Sequence, residues 1–317
     1  LNPSLTLKST LEDYLNNHNL SSVKIAVACS GGVDSMCLLD IMTRLIDAKN
    51  LWCVHVNHGW LEQANQAQDF LEEFSKQKNI NFSLKKFSIG EMKPAENNAR
   101  QARYDFFMQA CRQADIQHIF LGHNLNDQAE TVLFRLFRGT NSFGLSGILE
   151  QKKLVLGDYG LTVHRPFLNI TRAEILNYAH NNLKFFYEDP SNEDLKYHRN
   201  LIRHEILPSA LKINPQAEKN IVKLSELIKE EHEFFQEIVN NQIQALGDLP
   251  WSLESFRSIP RTIQRKVLEK IFCTQIRFTD EFLEAIAQGG FHQINFEKDK
   301  FFVIKQKQIF FKSTAID

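Results

Sequence analysis

The sequence predicts an α/β protein, with a parallel sheet covered by helices on both faces, then a helical connector and a small α+β unit. Three observations carry this. Strand-length apolar runs alternate with helix-length amphipathic segments from Val23 to about Arg138, the pattern that parallel strands with long crossovers require. A highly charged stretch with helical spacing runs from Pro215 to about Ala245, which reads as a connecting helix. Near the end, QINFEKDKFFVIKQKQIFFK alternates apolar and polar residues at the period of a sheet. The expected organisation is an N-terminal α/β domain over 1–208, a connector over 209–245 and a C-terminal domain over 246–317.

The elements follow in order. VKIAVAC at 23–29 is apolar and strand-like, SGGVDS is a loop, and MCLLDIMTRLI is an amphipathic helix. The pattern repeats with strand LWCVHVNH at 51–58, helix LEQANQAQDFLEEFSKQK at 61–78, strand INFSLKKF at 80–87 and a helix over NNARQARYDFFMQACRQA. Strand HIFLGH at 118–123 leads into a helix beginning near Asp127. RGTNSFGLSGILEQKKLVLGDYGLTVHRPF, rich in glycine, suggests a loop and short strands. A helix is expected from Arg172 to about Asn182, and Pro208 is expected to end the segment FFYEDPSNEDLKYHRNLIRHEILP. Beyond Leu246 come a basic helical stretch, a helix near Asp280–Ala287 and a small sheet with a turn at Asp299–Lys300.

Composition narrows the function. The 317 residues carry a formal net charge of -1, so any contact with nucleic acid must rest on a local patch. The 5 cysteines fall singly, without the spacings of a zinc site or a disulfide framework, and point to a reducing cytoplasm. No apolar run approaches the ~20 residues that span a bilayer, and no signal-peptide pattern opens the chain, so no membrane association is expected. The oligomeric state stays open, a homodimer among the options.

Chemistry concentrates at the predicted C-terminal ends of the strands, where such sheets bind ligands. In SGGVDS, Gly31 and Gly32 let backbone amides approach an anion, Ser30 and Ser35 offer hydroxyls, and the following helix adds its dipole. The loop is neither a Walker A loop nor a dinucleotide fingerprint. Asp34, in the first turn, can cap the helix that follows. In GHNLNDQAETVLFRLFRG, Asp127, Glu130 and Thr131 share one helical face. The two acids are either functional or ordinary first-turn residues that favour the helix dipole.

SGGVDS in this setting resembles the PP-loop, or N-type, ATP pyrophosphatases, whose fold is adenine nucleotide alpha hydrolase-like. Together with HVNHG at 55–59, NNARQARYDFF at 97–107, the GHNLNDQAETVLFRLFRG stretch, RPF at 165–167 and DPSNEDLKYHRNLIRHEILP at 189–208, it resembles the tRNA(Ile)-lysidine synthase family. The resemblance covers about Val23 to Pro208. It implies that ATP adenylates the C2 oxygen of the wobble cytidine in a tRNA(Ile) with anticodon CAU. The ε-amine of free L-lysine then attacks C2, yielding lysidine, AMP and pyrophosphate.

The resemblance also implies roles. Ser30, Gly31, Gly32, Asp34 and Ser35 would hold ATP phosphates and Mg2+, with Ala28, His55 and Asn57 near the adenosine and Arg103, Gly122 and His123 bordering the nucleotide. Asp127 would bind the lysine amine and help remove its proton, since an ammonium has no lone pair with which to attack. Glu130 would assist with metal or lysine, and Arg199, Asn200 and Arg203 would face the substrate, Arg203 foremost. Asp189, Ser191 and Asn192 would border the site. Two departures stand out: the family's HHxDD is His123, Asn124, Asn126 and Asp127 here, and Trp60 and Leu61 follow HVNHG where the family carries a basic residue. Asn126 replaces an acid whose position either needs negative charge or mainly caps the helix.

Between Arg257 and Arg277, six basic residues stand against Glu269. Arg257, Arg261 and Arg265 recur every fourth residue and are expected to line one helix face, with Lys266 beside them, as a tRNA phosphate patch. Rival readings are a tRNA thiolase, which needs paired cysteines or an iron–sulfur site, a small-molecule ligase sharing the phosphate loop, and a nonenzymatic RNA-binding relative.

Overall fold

Residues Ile25 to Ala28 form β1, the strand on which the N-terminal sheet is organised. Its side chains alternate between faces: Ile25 and Val27 join one apolar cluster, and Ala26 joins the other. A computed structural model describes residues 3–57, 63–87, 96–187, 194, 196–272, 276–290, 292–297 and 300–313. The chain falls into two compact units, 1–227 and 228–317.

In the first unit, α1 (Pro3–Asn17) precedes β1 where no element is predicted, and buries Leu7, Leu11, Tyr14 and Leu15 at helical spacing. The expected alternation follows: α2 (Val33–Leu45), β2 (Leu51–Asn57), α3 (Gln63–Lys78), β3 (Asn81–Lys86), α4 (Glu96–Gln113), β4 (His118–Leu121) and α5 (Leu125–Arg138). The glycine-rich stretch supplies β5 (Gln151–Leu156) and β6 (Tyr159–His164), an antiparallel hairpin. Strand order is β3-β2-β1-β4-β6-β5, parallel throughout except at the β5 edge, so the parallel sheet ends in one antiparallel strand. The chain runs outward from β1 through β2 and β3, then returns to the other side of β1 with β4. This reversal opens a crevice beyond the C-terminal ends of β1 and β4.

α6 (Arg172–Asn182) begins at Thr171, whose side chain forms a capping box with Glu174. Further on, α7 (His198–Leu201) passes through a π-helical turn at Ile202–Ile206 into α8 (Leu207–Ile213). Pro208 therefore does not end the segment. It stands in the first turn of α8, where a missing amide costs no hydrogen bond of that helix. α9 (Ala217–Leu246) spans the boundary between the units.

The second unit contains β7 (Trp251–Ser252), α10 (Leu253–Arg257), α11 (Arg261–Phe272), α12 (Ile276–Gln288), β8 (His292–Glu297), β9 (Lys300–Lys305) and β10 (Gln308–Ser313). Its antiparallel sheet runs β7-β10-β9-β8 around a core that includes Trp251, Phe256, Phe282 and Phe302. β9 and β10 are joined at Gln306 and Lys307, both at positive φ (52° and 61°), the geometry of a tight hairpin made without glycine. Asp299, expected in a turn, lies outside the described residues. Among the described residues, no helix is long and apolar enough to cross a membrane.

Candidate active site

The SGGVDS loop leaves β1 and enters α2 at the crevice. Gly31 adopts φ +88°, a left-handed conformation, and a Cβ there would lie 3.0 Å from the Ala67 Cβ. Its carbonyl accepts from the Tyr187 amide at 2.9 Å. Ser35 Oγ donates to the Gly32 carbonyl at 2.9 Å and accepts from the Ser30 amide at 3.2 Å, closing the loop on itself. Gly32 is the N-cap of α2 and no side chain caps the helix. Gly122 at the end of β4 lets the two elements touch, since a Cβ there would lie 2.9 Å from the Asp34 carbonyl carbon.

Asp34 does not act as a cap. Its Oδ1 accepts from Asn124 Nδ2 and its Oδ2 from Arg172 Nη1, each at 2.9 Å. Burial pushes its carboxyl above the ordinary range, Arg172 opposes that shift, and nearby Asp127 adds to it. The cap of α5 is Asn124, which accepts from the Asp127 amide while Asp127 Oδ2 accepts from the Asn124 amide, both at 3.0 Å. Asp127 thus fills the helix-end role with one oxygen and offers the other, Oδ1, to Arg203 Nη2 at 3.4 Å.

Position 126 is accordingly not the cap. Asn126 Oδ1 accepts from the Arg172 amide and its Nδ2 donates to Glu218 Oε1, each at 2.9 Å. One turn along α5, Glu130 has a side chain 3% exposed and receives Arg203 Nε at 2.6 Å and Nη2 at 3.0 Å on its two oxygens. Burial pushes the Glu130 carboxyl up and the Arg203 guanidinium opposes it. Glu130, expected as a metal ligand beside Asp34, is instead joined to Arg203. Arg199 Nη2 donates to Thr131 Oγ1 at 3.4 Å, and buried Asn200 donates to the Asp194 carbonyl at 2.9 Å. Arg199 and Arg203 therefore both turn toward α5, with Arg203 carried by the π turn, whose extra residue per turn re-aims a side chain.

On the other side of the loop, His55 is buried with Nδ1 2.7 Å from the Cys29 carbonyl, which fixes the proton on Nδ1. Burial lowers its pKa, and its Nε2 is an acceptor without a partner among the described residues. Asn57 is buried and donates to Asn65 at 3.0 Å and Gln68 at 2.9 Å. Ala28 ends β1, His123 is half-buried between β4 and α5, and Arg103 is exposed on α4. Asp189, Ser191 and Asn192, and Trp60 and Leu61, lie outside the described residues. Sequence reasoning missed Arg172, Asn124 and Glu218; Thr171 and Glu174 advertise only a helix start, and nothing local ties Arg172 to Asp34.

These residues suit a nucleotide with its cation. The loop's positive-φ glycine and the uncapped start of α2 form a cradle for phosphate oxygens, and the unpartnered His55 Nε2 can accept from a ligand N–H or O–H. Among the described residues no group of three or more His, Cys, Asp or Glu could hold a metal by itself. Mg2+ does not ask for one, because it binds through one or two carboxylates plus phosphates and water, and Asp34, in the loop itself with its side chain 24% exposed, offers such a carboxylate.

The basic stripe is corrected. Ser258, Ile259 and Pro260 separate α10 from α11, so Arg257 does not share a helix with Arg261 and Arg265. Arg257 donates to the carbonyls of Ile286 (2.8 Å from Nε) and Ala287 (3.2 Å from Nη2), closing the end of α12. Arg265 pairs with Asp280 at 2.5 Å and Lys266 with Glu269 at 3.0 Å, while Arg261 is exposed.

A mixed sheet with a phosphate loop at its reversal point and acids on the facing helix defines a nucleotide-binding α/β protein. Residues 3–210 match the PP-loop domain family, and the chain belongs to it. Among curated proteins it is similar to the tRNA(Ile)-lysidine synthase of Thermosipho africanus, 33% identical over 245 residues, 74% of this chain and 56% of that one. That of Francisella philomiragia is 32% identical over 270 residues, 84% of this chain and 65% of its own length. The Bifunctional protein TilS/HprT of Listeria innocua is 34% identical over 246 residues, 75% of this chain and 37% of the relative. The chain thus spans between 37% and 65% of the length of these three relatives. Among solved structures, the U34-tRNA thiolase NcsA of Methanococcus maripaludis shares the fold, with a TM-score of 0.58 and 19% identity, over 70% of this chain and 77% of that one.

Proposed function

We propose that the protein is an ATP-dependent ligase that joins free lysine to C2 of the wobble cytidine in a tRNA(Ile) with anticodon CAU, through an adenylated cytidine. The observation that carries this reading is the convergence, at one crevice, of the SGGVDS loop and Asp34 with Asp127, Glu130 and Arg203. It is supported by relatives that are named tRNA(Ile)-lysidine synthase. The loop amides and Ser30 and Ser35 would hold the phosphates, and Asp34 would hold Mg2+, which supplies charge neutralisation on the departing pyrophosphate. His55 Nε2 would accept from the nucleoside. Asp127, held in place by its capping box, would receive the lysine ammonium and assist loss of its proton. Glu130 would fix Arg203, whose guanidinium carries the charge that develops as the cytidine is attacked.

The domain spanning 1–208 would perform the chemistry, and 246–317, with exposed Arg261, would contact tRNA across the connector. A thiolase reading gains no support from the cysteines. Among the described residues Cys29, Cys37, Cys53 and Cys111 are free and buried, and burial pushes the Cys111 thiol up to about 12. The test is to incubate the protein with ATP, Mg2+, labelled lysine and the tRNA transcript, then digest the RNA and weigh its nucleosides. A lysine-dependent mass gain at the wobble cytidine, lost on Asp127→Asn, is expected. The absence of any gain across magnesium and tRNA concentrations refutes the reading.

A further inference from the structure

We infer that Arg172 is a resident counter-ion of Asp34, holding the place of the nucleotide's cation and displaced when that cation binds. The inference rests on the nucleotide and metal reading of the site. Arg172 Nη1 meets Asp34 Oδ2 at 2.9 Å, and the remaining oxygen takes only a neutral amide donor, Asn124 Nδ2. The other charges around Asp34 are Asp127, which raises its pKa, and Arg203, which lowers it but bonds Glu130 through Nε and Nη2 and Asp127 through Nη2. Arg172 is therefore the principal positive charge on this carboxylate, at the spot where a divalent ion bound to phosphates would bind.

The pair also has the construction of an exchangeable contact. Side chains of Arg172 and Asp34 are 37% and 24% exposed and open to the crevice, whereas the Glu130 side chain is 3% exposed. The backbone of Arg172 is fastened without help from Asp34: its amide donates to Asn126 Oδ1 at 2.9 Å, and the preceding Thr171 is tied to Glu174. Losing Asp34 thus moves the side chain and leaves the start of α6 in place. Asn126 is itself held by Glu218 at 2.9 Å, so it anchors the backbone from which Arg172 reaches Asp34. Once displaced, the guanidinium keeps its full set of donors beside the loop and can take a phosphate oxygen.

The consequence is competition: a positive charge and a divalent ion cannot share one carboxylate oxygen without repulsion. Mn2+ binding, read by electron paramagnetic resonance without nucleotide, tests this on the full chain. Arg172→Gln keeps a donor and removes the charge, and Mn2+ is expected to bind roughly tenfold more tightly than to the parent. Arg172→Lys keeps the charge and is expected to bind Mn2+ as the parent does. Equal or weaker Mn2+ binding by a folded Arg172→Gln overturns the inference. Should that variant not fold, the Arg172 Nε–H resonance of the 15N-labelled parent, assigned with Arg172→Lys, gives the answer. It is expected to shift when Mg2+ and a nonhydrolysable ATP analogue are added together, and a resonance that stays in place overturns the inference. Asp34→Asn separates the two levels. If Mn2+ binding survives it unchanged, the metal reading of Asp34 fails and takes this inference with it; if binding is lost while Arg172→Gln matches the parent, only the inference fails.

Discussion

Replacing Arg203 by Met removes the partner of the most deeply buried acid in the crevice. The guanidinium meets Glu130 through two bonds, 2.6 and 3.0 Å, and the Glu130 side chain is 3% exposed. Two unit charges about 4 Å apart are worth ~4 kcal/mol at an effective dielectric of ~20. Because the Arg203 side chain is 29% exposed, solvent screening brings the expected loss at pH 8 to about 3 kcal/mol. The pH dependence distinguishes a stranded charge from lost packing. Burial already holds the Glu130 carboxyl above the ordinary range, so the folded state binds its proton more tightly than the unfolded one. Such an acid loses stability as pH rises from the ordinary glutamate value through the raised one, and removing Arg203 extends that interval upward. The deficit of Arg203→Met is therefore larger at pH 8 than at pH 5.5. Glu130→Gln in the same background is expected to restore about 2 kcal/mol at pH 8. Native-state hydrogen exchange of the Leu125–Arg138 amides reads the effect where it arises. Equal deficits at both pH values, or strictly additive single and double variants, would refute the argument.

Three further outcomes follow from the geometry. Gly31→Ala must place a Cβ at φ +88° and 3.0 Å from the Ala67 Cβ, so we expect a loss of ~1–2 kcal/mol in thermal melts and weaker binding of an ATP analogue by calorimetry. Asn126→Asp sets a carboxylate against Glu218, whose Oε1 now receives Asn126 Nδ2 at 2.9 Å; a loss of about 1 kcal/mol is expected, largely recovered by Glu218→Gln, and additivity of the two speaks against the contact. His164 is buried, with burial first and His118, His18 and Arg165 after it lowering its pKa to about 3. Its folded value lies below the unfolded one, so the stability it contributes is present above ~6.5 and falls by ~1.4 kcal/mol per pH unit below that. His164→Gln should flatten the melting-temperature profile between pH 6.5 and 5, and an unchanged slope removes His164 as the cause.

The N-terminal sheet was legible because its strands are short apolar runs separated by helices of crossover length, whereas the strand order β3-β2-β1-β4-β6-β5 and the antiparallel edge are set by long-range pairing that no local pattern carries. SGGVDS stands out for the same reason, directly after a readable strand, and Asp127 and Glu130 stand out because they share one face of the helix that follows another. What the sequence did not disclose depends on distant partners. Arg172 reads as an ordinary first-turn residue, and its counterpart Asp34 lies 138 positions away; Glu218 and Asn126 are 92 apart. The basic stripe failed differently, since Pro260 was in plain view and a proline preceding a helix marks a start rather than a continuation. Arg257 and Arg261 keep a four-residue spacing across it but belong to two helices. The basic side chains were then spent on neighbours no local pattern reveals, Arg257 on the carbonyls that end α12 and Arg265 on Asp280.

The contacts in the crevice differ in permanence. Arg203 bonds the buried Glu130 through two short contacts and reaches Asp127 at 3.4 Å, so the Glu130 pair is scaffold and the Asp127 contact is the one that gives way. Asp34 and Arg172 form the second pair open to the crevice. Under the proposed function both incoming groups that need an acid, a divalent cation and a lysine ammonium, are positive, and each replaces a guanidinium contact on its carboxylate. Exchange of positive for positive means neither Asp34 nor Asp127 must pass through a buried, unpaired state, whose cost would otherwise stand in the path of binding. It also means the two acids are preorganised before their ligands arrive: Asp127 by its capping box and Asp34 by Asn124 Nδ2, both set by neutral donors that remain when the guanidinium contacts give way.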